Sequence, residues 1–192
     1  MLHPDIIIKR GSISGKGLFA KKMIPKGTVV YVVRNDIRVY SKKQFNKFSD
    51  RYKRILEKFA NEDNDGRIIH HTDGAKYGNH SCQPNCNALS TWDAGIDIAL
   101  RNIEKDEELT WDYRTIILHW RKPIKCNCNS KNCGKKIFRV SQNSGISKKL
   151  KSYTKQAQKD CLKVKQPLLN KKERFQLTMV LRSLHKAQKI IS

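Results

Sequence analysis

The hydrophobic pattern of this 192-residue chain opens on short β-type runs, turns helical once, and returns to β. Asp5-Ile6-Ile7-Ile8-Lys9-Arg10 is rich in β-branched residues and predicts a strand. Pro25-Lys26-Gly27 predicts a turn leading into a second strand over Thr28 to Val33. Ser41-Lys42-Lys43-Gln44 then has the form of a capping box. Behind it Phe45, Phe48, Tyr52, Ile55, Leu56 and Phe59 recur at helical spacing, which predicts one amphipathic helix over 42–60 with its aromatics in the core. Asn61 to Gly66 predicts a polar loop too short and irregular for a calcium site, and Ile68 to His71 a brief strand. Its two histidines lack partners at metal spacing and are read as structural. Asn87 to Ser90 and Ile96 to Ile103 predict two strands joined at Trp92-Asp93-Ala94-Gly95, and Ile96-Asp97-Ile98-Ala99-Leu100 alternates as a half-buried strand does. Many short strands and one helix predict a mostly β domain of about 140 residues.

Past about residue 140 the strand signals fade. Leu150, Tyr153, Ala157, Cys161 and Val164 form one helical stripe. After Pro167, Phe175, Leu177, Val180, Leu181, Leu184, Ala187 and Ile191 lie mainly along a second. Two amphipathic helices are expected, each needing a partner surface. Packing on the domain is the preferred reading over another chain, a nucleic acid or a membrane.

Charge adds a constraint on partners. The net charge is +23, and residues 141–192 alone hold thirteen Lys/Arg against two Asp/Glu. Such a chain is attracted to nucleic acid, acidic protein or an anionic membrane surface. The abundance of Lys, Asn and Ile is also what an AT-rich genome produces. A basic protein substrate is repelled at long range, so it needs short-range pockets or presentation on nucleic acid. No apolar run reaches the ~18–20 residues that span a bilayer. The first residues lack the basic-then-apolar pattern of a signal peptide, so the six cysteines are expected in a reducing compartment, as metal ligands or packing groups.

Three polar stretches carry candidate chemistry. Ser14-Gly15-Lys16-Gly17 sets two glycines one residue apart, where the backbone can approach a ligand; no third glycine or helix follows, so it is no dinucleotide fingerprint. Asn79-His80-Ser81-Cys82-Gln83-Pro84-Asn85-Cys86 concentrates two amides, an imidazole and two thiols. Cys126-Asn127-Cys128-Asn129-Ser130-Lys131-Asn132-Cys133 places three thiols in eight polar residues, a zinc signal that lacks a fourth ligand locally. Cys82, Cys86 and Cys161 are the candidates for it.

With Glu108-Leu109-Thr110-Trp111-Asp112-Tyr113 between the second and third stretches, the chain over about 5–139 resembles the SET-domain protein-lysine methyltransferases with a zinc-binding post-SET segment. The resemblance implies a SET-type β fold of small sheets, with a knot-like crossing that brings 79–82 against 108–113. It implies a catalytic domain over 5–120 and a post-SET zinc segment over 121–139; the tail is not covered by it, and the two helical stripes there predict a basic α-helical C-terminal extension over 140–192. The resemblance implies S-adenosylmethionine held by Ser14, Gly15, Lys16, Gly17, Asn79, His80 and Tyr113, with Tyr113 also the active-site tyrosine. Cys82 would complete one structural zinc site with Cys126, Cys128 and Cys133, leaving Cys86 as a buried small hydrophobe. Trp111 stands where family members tune the number of methyl groups added, and Phe138 where a post-SET aromatic closes the substrate channel.

The implied activity is protein-lysine N-methyl transfer, with a histone or another basic chromosomal protein as substrate. The alternative is an inactive module that binds chromatin or nucleic acid through its basic tail. The implied location is intracellular: nucleus or chromatin if eukaryotic or delivered to a host, otherwise cytoplasm. Two departures bear on specificity. The family's Tyr-x-Gly-Glu is here Val33-Arg34-Asn35-Asp36, so Tyr31 and Tyr40 are the remaining candidates for a second tyrosine, and the Arg-Phe-Ile before Asn-His is Lys76-Tyr77-Gly78.

Overall fold

The computed structural model describes residues 1–34, 37–62, 65–89, 95–115, 123–141 and 143–191. The turn expected at 92–95 and Asn35-Asp36 thus fall largely outside the described residues. The chain opens with β1 (Ile6–Arg10) and β2 (Lys16–Ala20), an antiparallel pair in which Ile6 faces Ala20 and Arg10 faces Lys16. β3 (Val29–Val32) and β4 (Ile37–Tyr40) follow, then α1 (Lys42–Asn46), α2 (Asp50–Phe59), β5 (Ala60–Glu62) and β6 (Ile68–His71). A 3-10 turn over Gly74–Tyr77 leads into β7 (Asn79–His80), β8 (Cys86–Ala88), β9 (Ile96–Ala99) and β10 (Glu108–Trp111). The hairpin β11 (Ile124–Lys125) and β12 (Lys136–Ile137) precedes α3 (Gly145–Gln158) and α4 (Lys171–Ile191). The strands form small sheets ordered β1-β2-β10-β7, β3-β9-β8, β4-β6-β5 and β11-β12.

The single helix expected over 42–60 is two helices. Ser41 makes the expected capping box with Gln44. Ser49 then takes an extended backbone and caps α2 by accepting from the Tyr52 amide, with Asp50 in the first turn. A serine and an aspartate side by side stabilise a new N-terminus better than a helix interior, and they override the hydrophobic period. The aromatic stripe also lies outside the main core. Tyr40, Phe48 and Tyr52 meet edge-to-face, with centroids 5.0 Å apart for Tyr40–Phe48 and for Phe48–Tyr52. α2 packs on β5 and β6, burying only Leu56 fully. The expected polar loop therefore begins as the strand β5.

Two apolar clusters form the core. Ile6, Leu18, Ala20, Ile24, Val30, Cys86, Ala99, Ile103, Leu109 and Trp111 make one. The other joins Val29, Val32, Ile98 and Leu100 to Leu150, Ala157, Cys161, Leu168, Leu169, Leu177 and Leu181. The C-terminal segment therefore packs on the β3-β9-β8 sheet, as preferred from sequence. Gln166 fixes it there: its Oε1 accepts from the Val29 amide at 2.7 Å, and its Nε2 donates to Gly27 O and Cys161 O at 3.0 and 2.8 Å. Gly27 has φ 84° and no room for a Cβ, which would lie 2.8 Å from the backbone of Asp160 and Cys161. Arg34 adds a two-pronged ion pair to Glu173.

Candidate active site and metal centre

The site is built where β7 pairs in parallel with β10, Asn79 opposite Thr110 and His80 opposite Trp111. Asn85 bolts the two segments together. It is 1% exposed, accepts from the Thr110 amide at 2.8 Å, and donates to Glu108 O and Glu107 Oε1. The Asn85 side chain replaces a missing strand neighbour, holding 79–86 against 107–110.

His80 is 3% exposed, and burial lowers its pKa to about 4, partly opposed by the charge of Asp112. The ring is therefore neutral, so Nδ1 accepts the Tyr113 amide at 3.0 Å and leaves its proton on Nε2, 3.4 Å from Cys82 Sγ. Asp112 takes a two-pronged bond from Arg114 at 2.8 and 2.6 Å. Tyr113 donates its hydroxyl to Gly78 O. Burial, then the charge of Glu108, pushes its pKa up to about 12, so it works as a neutral donor and not as a base at neutral pH. Trp111 is 8% exposed; its indole N–H donates to Asp97 Oδ2 at 3.0 Å, and its six-membered ring lies over Gly78, where a Cβ would fall 2.9 Å from Cζ3. The Asp97 residue keeps some surface, but its carboxyl is enclosed, and that burial raises its pKa to about 7 against the indole bond, which lowers it.

The glycine loop adjoins this centre through Asn79. Its Nδ2 donates to Lys16 O at 3.1 Å and lies 3.3 Å from Ser14 O, while also meeting Glu108 Oε1 at 2.6 Å. Gly15 has φ 52°, the left-handed turn that favours glycine. Four thiol sulfurs form the second centre: Cys82, Cys126, Cys128 and Cys133 lie within 4.8 Å of one another. Cys82 Sγ and Cys126 Sγ are 3.9 Å apart. A tetrahedron of sulfurs around zinc at ~2.3 Å has edges of about 3.8 Å. All four are free thiols. Burial opposes ionisation of Cys128, but the Cys82 amide, Ser130 and the Cys126 thiol donate to it and hold its pKa down to about 6. Of the three candidates for the fourth ligand, Cys82 is the one brought to the cluster. Cys86 is fully buried in one core cluster and Cys161 in the other.

Residues 15–114, more than half of the chain, match the family model described as the SET domain. The chain belongs to the SET-domain family. Its sequence is 33% identical over 132 residues to Histone-lysine N-methyltransferase 2B of Homo sapiens, covering 66% of this chain and 5% of that protein. It is 31% identical over 143 residues to Histone-lysine N-methyltransferase trr of Drosophila melanogaster, covering 68% of this chain and 6% of that one. The chain thus spans a small part of these relatives. The methyltransferase domain of human SETMAR shares the fold at a TM-score of 0.52 and 19% identity, over 73% of this chain and 60% of that one. KRYPTONITE, solved in complex with mCHG DNA and SAH, does so at 0.51 and 20%, over 69% and 29%.

The residues of this SET domain fit both implied groups. The thiol cluster has the number, softness and spacing of a structural zinc site. The glycine loop with Asn79 and Glu108 fits a cationic cofactor, because Glu108 Oε2 is buried with no hydrogen-bond partner among the described residues. Phe138 is not drawn into the cluster: it follows β12 and is 52% exposed. Tyr31 is 4% exposed and bonds His71 Nδ1 at 2.8 Å, and Tyr40 bonds Tyr52. Sequence reasoning missed Glu108, Asp97, Gly78 and Arg114. Gly78 and Arg114 flank motif residues and Glu108 opens the tyrosine motif, but nothing in their spacing says which way they face. Asp97 occupies the polar position of the alternation over 96–100, which reads as a solvent-facing side chain.

Proposed function

We propose that this SET domain is an S-adenosylmethionine-dependent protein-lysine N-methyltransferase acting on a histone or another basic chromosomal protein, with one structural zinc ion. The β7–β10 pairing carries the reading, because it sets Tyr113 against Gly78 and His80, and Asn79 against the glycine loop. A lysine amine has a pKa near 10.4 and is a nucleophile only after losing its proton, which passage into a dry channel beside a cation favours. S-Adenosylmethionine, when bound, would supply an activated methyl group to the neutral amine nitrogen, with S-adenosylhomocysteine as the other product. Ser14 to Gly17, Asn79 and His80 hold the cofactor. Tyr113, whose hydroxyl proton goes to the Gly78 carbonyl, orients the amine by accepting an amine N–H on its oxygen, with the Gly78 carbonyl as a second acceptor. Trp111 and Phe138 wall the substrate channel, Trp111 from the interior and Phe138 from the surface. Holding nitrogen, methyl and sulfur in line is the main catalytic device, worth up to ~7–11 kcal/mol in good cases.

The basic surface supports a nucleic-acid contact alongside the protein substrate. α3 contains no acidic residue, and its Lys148, Lys151 and Lys155 are exposed while Leu150, Thr154 and Ala157 are buried. Presentation on DNA would also offset the long-range repulsion of a basic histone. The work is then nuclear or chromatin-bound. The same surface supports the competing reading, an inactive chromatin-binding module.

Mass spectrometry of histone octamers and nucleosomes incubated with labelled S-adenosylmethionine tests the proposal. Methylated lysines are expected, with transfer reduced about a hundred-fold or more by Tyr113→Phe. A Tyr113→Phe protein that transfers normally would refute the catalytic assignment. A wild-type protein that binds nucleosomes but not S-adenosylmethionine in calorimetry would favour the inactive module.

A further inference from the structure

Glu108 is the acidic side chain whose placement the roles above leave unused. It lies on β10, across from Phe19 of β2, with its carboxylate in the space that side chains at Gly11 and Gly17 would occupy. A Cβ on Gly17 would sit 2.8 Å from Glu108 Cδ, and one on Gly11 would sit 3.0 Å from Oε1. Gly17 therefore leaves the space the carboxylate fills, and a side chain at Gly11 would crowd it. Oε1 is satisfied by Asn79 Nδ2 at 2.6 Å. Oε2 is removed from water and meets no donor among the described residues. A carboxylate oxygen in that position calls for a cationic donor.

The surroundings decide which cation. Next to the carboxylate lie two backbone oxygens, Ser14 O and Lys16 O, gathered around the same Asn79 amide. A cluster of acceptors suits a guest that offers several N–H donors. An alkylammonium offers three, and a sulfonium offers none. We propose that Glu108 binds the α-ammonium of the methionine moiety of S-adenosylmethionine, with Oε2 as its anionic acceptor and the Ser14 and Lys16 carbonyls beside it. This rests on the cofactor reading given above and adds a residue to it. It also gives Gly11 and Gly17 a purpose, which is to admit the carboxylate to the pocket.

Isothermal titration calorimetry of wild-type protein and Glu108→Gln with three ligands tests this. S-Adenosylmethionine carries both cations, S-adenosylhomocysteine only the ammonium, and 5′-methylthioadenosine neither. Glutamine keeps the Oε1 acceptor for Asn79 and the side-chain shape. The expected result is a loss of about ten- to a hundred-fold in affinity for the first two ligands, and a change within about two-fold for 5′-methylthioadenosine. Bound zinc per chain, measured on the same samples, should stay at the wild-type value. Unchanged affinity for S-adenosylmethionine overturns the proposal. A loss confined to S-adenosylmethionine overturns it in favour of the sulfonium, and an equal loss for all three reduces Glu108 to a structural support. Wild-type protein that binds none of the three overturns the cofactor reading itself and the proposal with it.

Discussion

Gly78→Ala should slow methyl transfer without removing cofactor or zinc. The backbone at Gly78 has φ −63° and ψ 119°, which any residue adopts, so alanine costs no backbone strain. The cost is contact. The new Cβ would lie 2.9 Å from Trp111 Cζ3 and 3.0 Å from Cε3. Carbon atoms pack at about 3.5–4.0 Å, so the indole or the Gly78 segment must move by at least ~0.6 Å. Neither is free to do so. The indole is tied to Asp97 Oδ2 at 3.0 Å, and a shift away from it by that amount reaches ~3.6 Å, outside hydrogen-bond range. The Gly78 carbonyl is what holds the Tyr113 hydroxyl. Overpacking of this kind costs about 1–3 kcal/mol in stability, and a misplacement near 1 Å costs roughly a hundred-fold in rate. The expected outcome is a fall in kcat of about ten- to a hundred-fold, with S-adenosylmethionine affinity within about three-fold of wild type. Adding Trp111→Phe, which removes the ring that collides, should restore part of the rate. Wild-type kcat in Gly78→Ala, or no recovery in the double variant, would refute the contact as the cause.

Three further outcomes follow from the geometry. Cys82→Ser should lose zinc to a chelator that wild type resists, and methyl transfer should fall with it, because Cys82 meets His80 and His80 holds the Tyr113 amide; full zinc retention under the same chelator would count against the four-thiol site. Gln166→Ala should cost about 2–4 kcal/mol in urea denaturation, since it strands the Val29 amide and two buried carbonyls at once, and a loss under ~0.5 kcal/mol would show that the C-terminal segment is not bolted there. For Asp97, burial raises the folded pKa to about 7 from an ordinary 3.8, so the native state keeps a proton that the unfolded chain releases, and stability from this group declines as pH rises from about 4 to 7. Asp97→Asn keeps an acceptor for the indole without the charge, so it should match wild type at the acid end of that window and exceed it at pH ~8; equal stability of the two proteins at both ends would refute the assignment.

What was legible in the chain depended on how far apart the interacting residues lie. The capping box at Ser41 and Gln44 spans one helical turn, and it forms as read. The alternation at Ile96 to Leu100 gave β9, with Asp97 as the one polar residue whose carboxyl is nonetheless enclosed. The helix over 42–60 failed because its apolar period was counted through Ser49 and Asp50, whose capping chemistry outweighs periodicity. In the C-terminal segment the stripe of Leu150, Ala157 and Cys161 was visible, and the surface it covers is the sheet as preferred. The residue that fixes it there, Gln166, carried no signal, because an isolated glutamine reads as solvated surface until the strand it completes, 137 residues away, is known.

The sequence by itself determined the local chemistry: three thiols at one turn, an Asn-His pair, a glycine loop and a tyrosine motif, in an order that resembles one family. Each is a matter of residue type and short spacing, which backbone geometry converts directly into local structure. Tertiary structure decided which of these meet. The parallel pairing of Asn79-His80 with Thr110-Trp111 brings Tyr113, His80 and Cys82 of the thiol cluster into one network. It brings one cysteine of three candidates to the thiol cluster and buries the others in apolar cores. It also lodges a carboxylate between two glycines and sets an indole across a third. Such contacts depend on packing between segments tens of residues apart, where the space left by a missing side chain matters as much as the side chains present, and periodicity along one chain does not encode that space.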